Sequence, residues 1–383
     1  MHSTLEFKLS KKKYKKASGS IDIKMLPDYN RSVMSLWKKF KAKYLDFERP
    51  PRPRTLLVLD AIFIVILLFS YALIQHVIPS HFIASRLASI KAQHTVQEAV
   101  ATPEPVVVST PAPKRPEDMT LAEKFADKFT DEVVITDSSY SSPDISVTFS
   151  DCEFINEDDE IQHYYVADIY VADIHCLQSY IHQNTEYGMS GDSMINLSRQ
   201  SGSIAAVNGD YALTTNSGVI IRNGEVIRNS PATSEICLLF EDGTVKCLAA
   251  SDYDYESLQS KGIWQAWTFG PSLLDSSGKA LDEFSATYGT VLQSNPRSVL
   301  GYYEPGHYCF VTVDGRQSGY AIGLDMQETA KLMEDLGCKV AFNLDGGRST
   351  QMTFFDTLIN DPYKQGRYVG DIILIKEPGG ESE

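Results

Sequence analysis

Beyond residue 118 the apolar side chains alternate or run in short blocks far more often than they recur every third or fourth position. Ile145 to Phe149 and Tyr164 to Ile174 are rich in β-branched and aromatic residues and predict strands. Gly218 to Ile227 predicts two more around Asn223-Gly224, the dipeptide suited to the left-handed positions of a tight hairpin turn. Helical signals are few. Thr120 opens a helix to Phe129, with Glu123 placed to complete a capping box. Asp325 heads another that runs through Leu332, Met333 and Leu336 and stops at Gly337. Strand and helix alternate between residues 308 and 344 and not elsewhere, so the pattern predicts an α+β class with mixed sheets and few helices rather than a doubly wound sheet.

One stretch follows a different rule. Thr55 to Ile78 is a 24-residue run with one formal charge, Asp60. At about 1.5 Å per residue it exceeds the roughly 30 Å hydrocarbon core of a bilayer and predicts one transmembrane helix. A cleaved signal peptide would need a basic region of more than fifty residues and an apolar run nearer 7 to 15, so an uncleaved anchor is the better reading. Charge orients it. Residues 1–54 hold 15 Lys and Arg against 5 Asp and Glu, a balance of +10; the chain as a whole is −15, so the remainder sums to −25. Lys38, Lys39, Lys41, Lys43, Arg49, Arg52 and Arg54 precede the run closely, whereas the twenty residues after it carry Arg86 and Lys91. That asymmetry predicts a cell-membrane protein with its N-terminus in the cytoplasm and its C-terminal part outside. Val33, Trp37, Phe40 and Tyr44 recur at helical spacing among lysines, as in a helix lying on the inner membrane surface or one that binds a partner.

The organisation that follows is a basic cytoplasmic tail (1–54), a transmembrane anchor (55–78), a spacer (79–118) made stiff by five prolines between Ala101 and Glu117, and one large domain (119–383). A stiff spacer suits a polymeric surface glycan, an exopolysaccharide among them. The acidity of the outer part argues against nucleic acid as a partner, since its phosphates would be repelled. It leaves room for an anionic glycan met locally by arginines. All six cysteines lie beyond the anchor, where disulfides persist. Cys237 and Cys247 flank Glu241-Asp242-Gly243: a three-residue loop sets them opposite one another, a two-residue Asp-Gly turn puts them out of register. Neither Cys-x-x-Cys nor His-x-x-x-His occurs, so no zinc site is predicted.

The candidate chemistry lies at strand ends. Val340 to Phe342 empties into Asn343-Leu344-Asp345-Gly346-Gly347-Arg348-Ser349-Thr350, a turn holding a carboxylate, a cation, hydroxyls and two glycines that let a ligand approach the main chain. Asn295-Pro296-Arg297-Ser298 and Asp314-Gly315-Arg316-Gln317 lie beside apolar runs in the same way. Charged groups at several strand ends of one domain are most simply gathered around one mouth.

With Asn208-Gly209-Asp210-Tyr211 and Phe269-Gly270-Pro271, these motifs resemble, in order and spacing, the phosphodiester glycosidase family over about residues 160 to 376. The family usually has Gly-Gly-Gly-Ser where this chain has Gly346-Gly347-Arg348-Ser349, and often Asn-Gly-Gly-Phe where it has Asn208-Gly209-Asp210-Tyr211. Arg348 adds a cation that either clamps a second anion or pairs with Asp210. The resemblance implies a hydrolase cutting a sugar 1-phosphodiester at the anomeric carbon without a cofactor. In that reading Arg297 and Arg316 clamp the phosphate, and Asp345 and Asp314 supply the nucleophile and base in either assignment. Asn208, Asp210 and Asn343 hold sugar hydroxyls; Gly346 and Gly347 admit the ligand; Arg348, Ser349 and Thr350 line the turn. Plainer roles compete: Asp314 and Arg316 as a turn pair, Asn208 as a cap of its own loop. Two other functions stay open, a phosphodiesterase using Asp210, Asp314, Asn343 and Asp345 around a divalent cation, and a glycan-binding or assembly module without turnover.

Overall fold

The computed structural model describes residues 119–379 apart from 157–158, 183–190, 215 and 285–288. The expected tail, inner-surface helix, anchor and spacer lie outside the described residues. Among the residues described, no helix is long and apolar enough to cross a membrane.

Three sheets make up the domain. A seven-stranded sheet runs in the order Val134–Ile135, Ser139–Ser141, Ile145–Ile155, Ile161–Val171, His307–Val313, Arg297–Glu304, Val340–Asn343. A five-stranded sheet follows Val245–Leu248, Ile236–Phe240, Ile263–Thr268, Val219–Arg222, Glu225–Asn229. The other five-stranded sheet follows Thr357–Leu358, Met352–Phe354, Ala205–Asn208, Asp371–Ile375, Leu177–Ile181. Helices are few and short, so the α+β class holds. The expectation of mixed sheets does not, because neighbouring strands pair antiparallel in all three. The strand–helix–strand run explains the difference. His307–Val313 and Val340–Asn343 do point the same way, but Arg297–Glu304 lies between them and is antiparallel to both.

The large sheet is covered on both faces. Ala167, Ile169, Leu300, Phe310 and Phe342 pack into a core shared with the smaller sheets, while Val166, Val299, Val311 and Ala341 face Met326, Ala330 and Met333 of the helix Met326–Asp335. Two-sided burial is why its central strands read as nearly continuous apolar runs. That helix opens on a capping box between Asp325 and Glu328, and the expected Gly337 follows it at φ +82°. The Thr120–Glu123 box also forms, over a helix shorter than expected, Leu121–Lys124. Asn223 and Gly224 turn the hairpin at φ +53° and +79°. Cys237 stands opposite Cys247, the register of the longer loop, with both as thiols.

Candidate active site

The candidate turn is stitched down where the large sheet meets the sheet containing Ala205–Asn208. Leu344 N donates to Ser298 O (2.8 Å), Gly347 N to Pro296 O (2.9 Å), and Asp345 N to Gly209 O (3.3 Å). Asn208 locks the junction. Its Nδ2 donates to Asp345 O (2.7 Å) and Gly209 O (3.2 Å), and its Oδ1 accepts from Ser298 Oγ (2.6 Å) and Gln351 N (3.2 Å). Those four bonds use the whole capacity of the amide, so Asn208 braces the turn and has none left for a sugar hydroxyl. The glycines also serve the protein's own packing. A Cβ on Gly346 would lie 2.7 Å from Pro296 O, and Gly347 sits at φ +65° under the Arg316 guanidinium.

Two contiguous cavities open at this turn. The larger, about 650 Å³, and the smaller, about 410 Å³, share Tyr211, Asp345, Arg348 and Arg367 in their walls. Arg297 and Arg316 join the smaller one, so it is walled by four guanidinium groups. Arg297 is buried and donates to Leu324 O (Nε, 2.8 Å) and to Gln293 O. Burial, with the nearby Arg316, lowers its pKa to about 10, which still leaves it charged at neutral pH. Arg316 donates twice to Asn295 Oδ1 (2.8 and 2.5 Å). Arg297, Arg316 and Arg348 thus donate to carbonyl and amide oxygens, whereas Arg367, the fourth cation of this wall, pairs with Asp345. Uncompensated guanidiniums converging on a cleft make an anion site. Asn343 lies in the same wall; its Nδ2 donates to Gly270 O (2.8 Å), and its buried Oδ1 has no partner among the described residues.

Asp345 stands where the cavities meet. Its Oδ2 accepts from Ser349 Oγ and from Arg367 Nη2, both at 2.5 Å. Arg367 Nε also donates to Ser349 Oγ at 2.5 Å, which closes a small ring of three side chains. Burial raises the pKa of Asp345, opposed by Arg367 and Ser349. Tyr211, at the unusual φ of +66°, lies under the Arg367 guanidinium, 5.2 Å from ring centroid to Cζ.

Other expected site residues go elsewhere. Asp314 lines neither cavity. Its carboxylate accepts from Asn360 Nδ2 (2.8 Å), Tyr320 OH (3.0 Å) and Asp361 N (2.9 Å), and burial pushes its pKa up to about 6. It braces the 359–361 segment, whereas Arg316, two residues on and at φ +60°, turns into the cavity. Asp210 is likewise turned inward, accepting from Arg222 Nη2 (2.8 Å) and Thr268 N (2.6 Å). It does not pair with Arg348, which donates to Gly366 O (2.8 Å). Thr350 is buried outside both cavities, while Ser349 lines the larger one. Asp210, Asp314, Asn343 and Asp345 are therefore not gathered around a point, and no cluster of three or more His, Cys, Asp or Glu suited to a metal occurs among the described residues.

Three further charged residues, Arg222, Asp371 and Arg367, help build this region. Arg222 Nη2 reaches Asp371 (3.0 Å) as well as Asp210, so one cation serves two buried carboxylates. Burial, then the neighbouring Asp210, raises Asp371 to about 7. The clue was present: Arg222 ends the apolar strand Val219–Arg222 and Asp371 begins the apolar strand Asp371–Ile375, and a charge flanking a buried strand needs a partner. Arg367 sits just after a Gln-Gly turn and has no comparable marker.

Residues 201–376 match the family model described as phosphodiester glycosidase. The SPbeta prophage-derived uncharacterized protein YomE of Bacillus subtilis (strain 168) is 27% identical over 200 residues, covering 50% of this chain; the chain spans about a third (31%) of that relative's length. Among solved structures, the zebrafish N-acetylglucosamine-1-phosphodiester alpha-N-acetylglucosaminidase catalytic domain, auto-inhibited by its pro-peptide, superposes with a TM-score of 0.51 at 19% identity, covering 64% of this chain and 88% of that one, and shows the shared fold. Over residues 201–376 the chain is thus similar in sequence to the phosphodiester glycosidase family, a family of enzymes, and it shares the fold of the zebrafish catalytic domain.

Proposed function

We propose that the domain hydrolyses a sugar 1-phosphodiester at the anomeric carbon, with the phosphodiester in the arginine-walled cavity and the glycosyl unit in the larger one. The carrying observation is Asp345 at their junction, the point where a bond between the two groups would lie. The anomeric C–O bond breaks and its electron pair leaves on the phosphate oxygen, where Arg297 and Arg316 stabilise the charge. Water supplies the oxygen that joins the anomeric carbon. Asp345 takes the water's proton, or first takes the glycosyl group and releases it to water. A phosphate monoester leaves without strong general-acid help, so Asp345, the carboxylate shared by both cavities, suffices although Asp314 is turned away.

The test is product analysis with full-length protein in detergent and a GlcNAc-1-phosphodiester, with and without chelator. Free reducing sugar and phosphate monoester that survive chelation are expected. Sugar 1-phosphate lost on chelation would move the chemistry to phosphorus, and tight binding without product would leave a glycan-binding module.

We place this domain outside the cell on the anchor at Thr55–Ile78, acting on a surface or exopolysaccharide glycan; the charge asymmetry around that run supports the orientation. Protease added to intact cells should then remove the domain and spare the basic tail. The opposite pattern reverses the topology.

A further inference from the structure

The walls of the larger cavity hold more cations than the carboxylates there require. Asp345 has Arg367, and Arg222 serves Asp371 together with Asp210, while Arg348 and Lys364 of the same wall form no ion pair among the described residues. This occurs in a part of the chain that sums to −25, so a local excess of positive charge stands out against an acidic background.

The two cations belong to one small device. Lys364 and Gln365 are consecutive non-glycine residues in the left-handed region, at φ +51° and +61°. Gln365 N to Pro362 O (2.9 Å) and Gly366 N to Tyr363 O (3.1 Å) hold the turn, and Arg348 pins it from the far side through Gly366 O. Strained backbone of this kind persists where the surroundings over-determine it, as at ligand clamps. The Tyr363 ring lies between the sites, with Lys364 Nζ at 5.1 Å and Arg316 Cζ at 5.8 Å from its centroid. Tyr368, 61% exposed, adds an aromatic face to the same cavity, the kind of surface on which a pyranose ring packs.

We propose that the larger cavity receives an anionic group carried by the glycosyl unit itself, so that the substrate is an acidic sugar phosphodiester with negative charge on both sides of the scissile bond. Arg348 and Lys364 are the groups that recognise it, and a phosphate or a carboxylate on the sugar satisfies the same chemistry. This rests on the assignment of the sugar to the larger cavity.

Three glycosyl phosphodiesters test it with full-length protein: a neutral N-acetylhexosamine, its 6-phosphate and a hexuronate. The ratio of kcat/KM for the better acidic donor over the neutral one should exceed about ten, as expected for one charge-assisted contact or more. That ratio should fall toward one in Arg348→Gln, fall partly in Lys364→Gln, and be partly restored by Arg348→Lys. The identity of the better donor separates phosphate from carboxylate. A wild-type ratio near one, or a ratio moved by neither variant, overturns the proposal. Should no donor turn over, the hydrolytic reading fails separately, and calorimetry with the free sugars decides this one: tighter binding of the acidic sugar, lost in Arg348→Gln, upholds it, and equal affinities overturn it.

Discussion

Replacing Asp345 with asparagine should lower kcat/KM by about 10³-fold or more while the thermal midpoint stays where it is or rises slightly. The first part follows from position: Asp345 is the carboxylate at the meeting point of the two cavities, and removing a group that acts as nucleophile or base costs at least what general catalysis contributes. The second follows from its surroundings. Burial raises the pKa of Asp345 above its ordinary value, so holding it ionised at neutral pH costs folded-state stability. Asparagine keeps the shape and can still accept from Ser349 and Arg367 at Oδ1, while Arg367, 38% exposed, loses its partner at small cost. Initial rates and a melting curve on the same preparation read both parts. Activity within tenfold of wild type at a normal midpoint would remove Asp345 from the chemistry.

The strand-end turns were legible in the sequence because they break a strong pattern: a run of buried apolar residues ending in a cluster of charges and glycines is visible without coordinates. Asn343-Leu344-Asp345-Gly346-Gly347, Arg297 and Arg316 fall together in the structure for that reason. What could not be read was the direction of each side chain past the strand end. Asp314 and Arg316 are two residues apart, yet Asp314 turns inward to Asn360 while the left-handed backbone at Arg316 itself sends its side chain to the cleft. Asn208 looked like a ligand and is a brace, because the strand Met352–Phe354 that pairs beside it and the turn that it holds come from more than 130 residues further along. The antiparallel sheets were hidden by the same long-range effect: the local strand–helix–strand signal is real, but Arg297–Glu304 occupies the place between its strands. Arg222 and Asp371, 149 residues apart, give no local sign that they meet.

Replacing Arg222 with methionine should destabilise the domain by an amount that depends on pH, about 3–5 kcal/mol at pH 8 and clearly less at pH 5. In the wild type one guanidinium, 3% exposed, faces two buried carboxyl groups, so the cluster is neutral when one carboxyl keeps its proton. Asp371 carries that proton up to about pH 7, against roughly 3.9 in an unfolded chain. Between those values the folded state binds more protons than the unfolded one, so stability is greatest below about pH 4, falls as pH rises toward 7, and is level above. Without Arg222 both carboxyls must be neutral or remain as unpaired buried charge. Protons are cheap at pH 5 and expensive at pH 8, which steepens the decline. Part of the loss is independent of pH, since the bonds from Arg222 to the carbonyls of Ala266 and Ile221 go in either case. At pH 8 the midpoint should drop by on the order of 10 °C for a domain of this size. Asp371→Asn in the same background should recover much of that, because its amide can donate to Asp210 without a titrating proton. Equal drops at pH 5 and pH 8, with no rescue by Asp371→Asn, would mean that Arg222 matters here as packing rather than as charge.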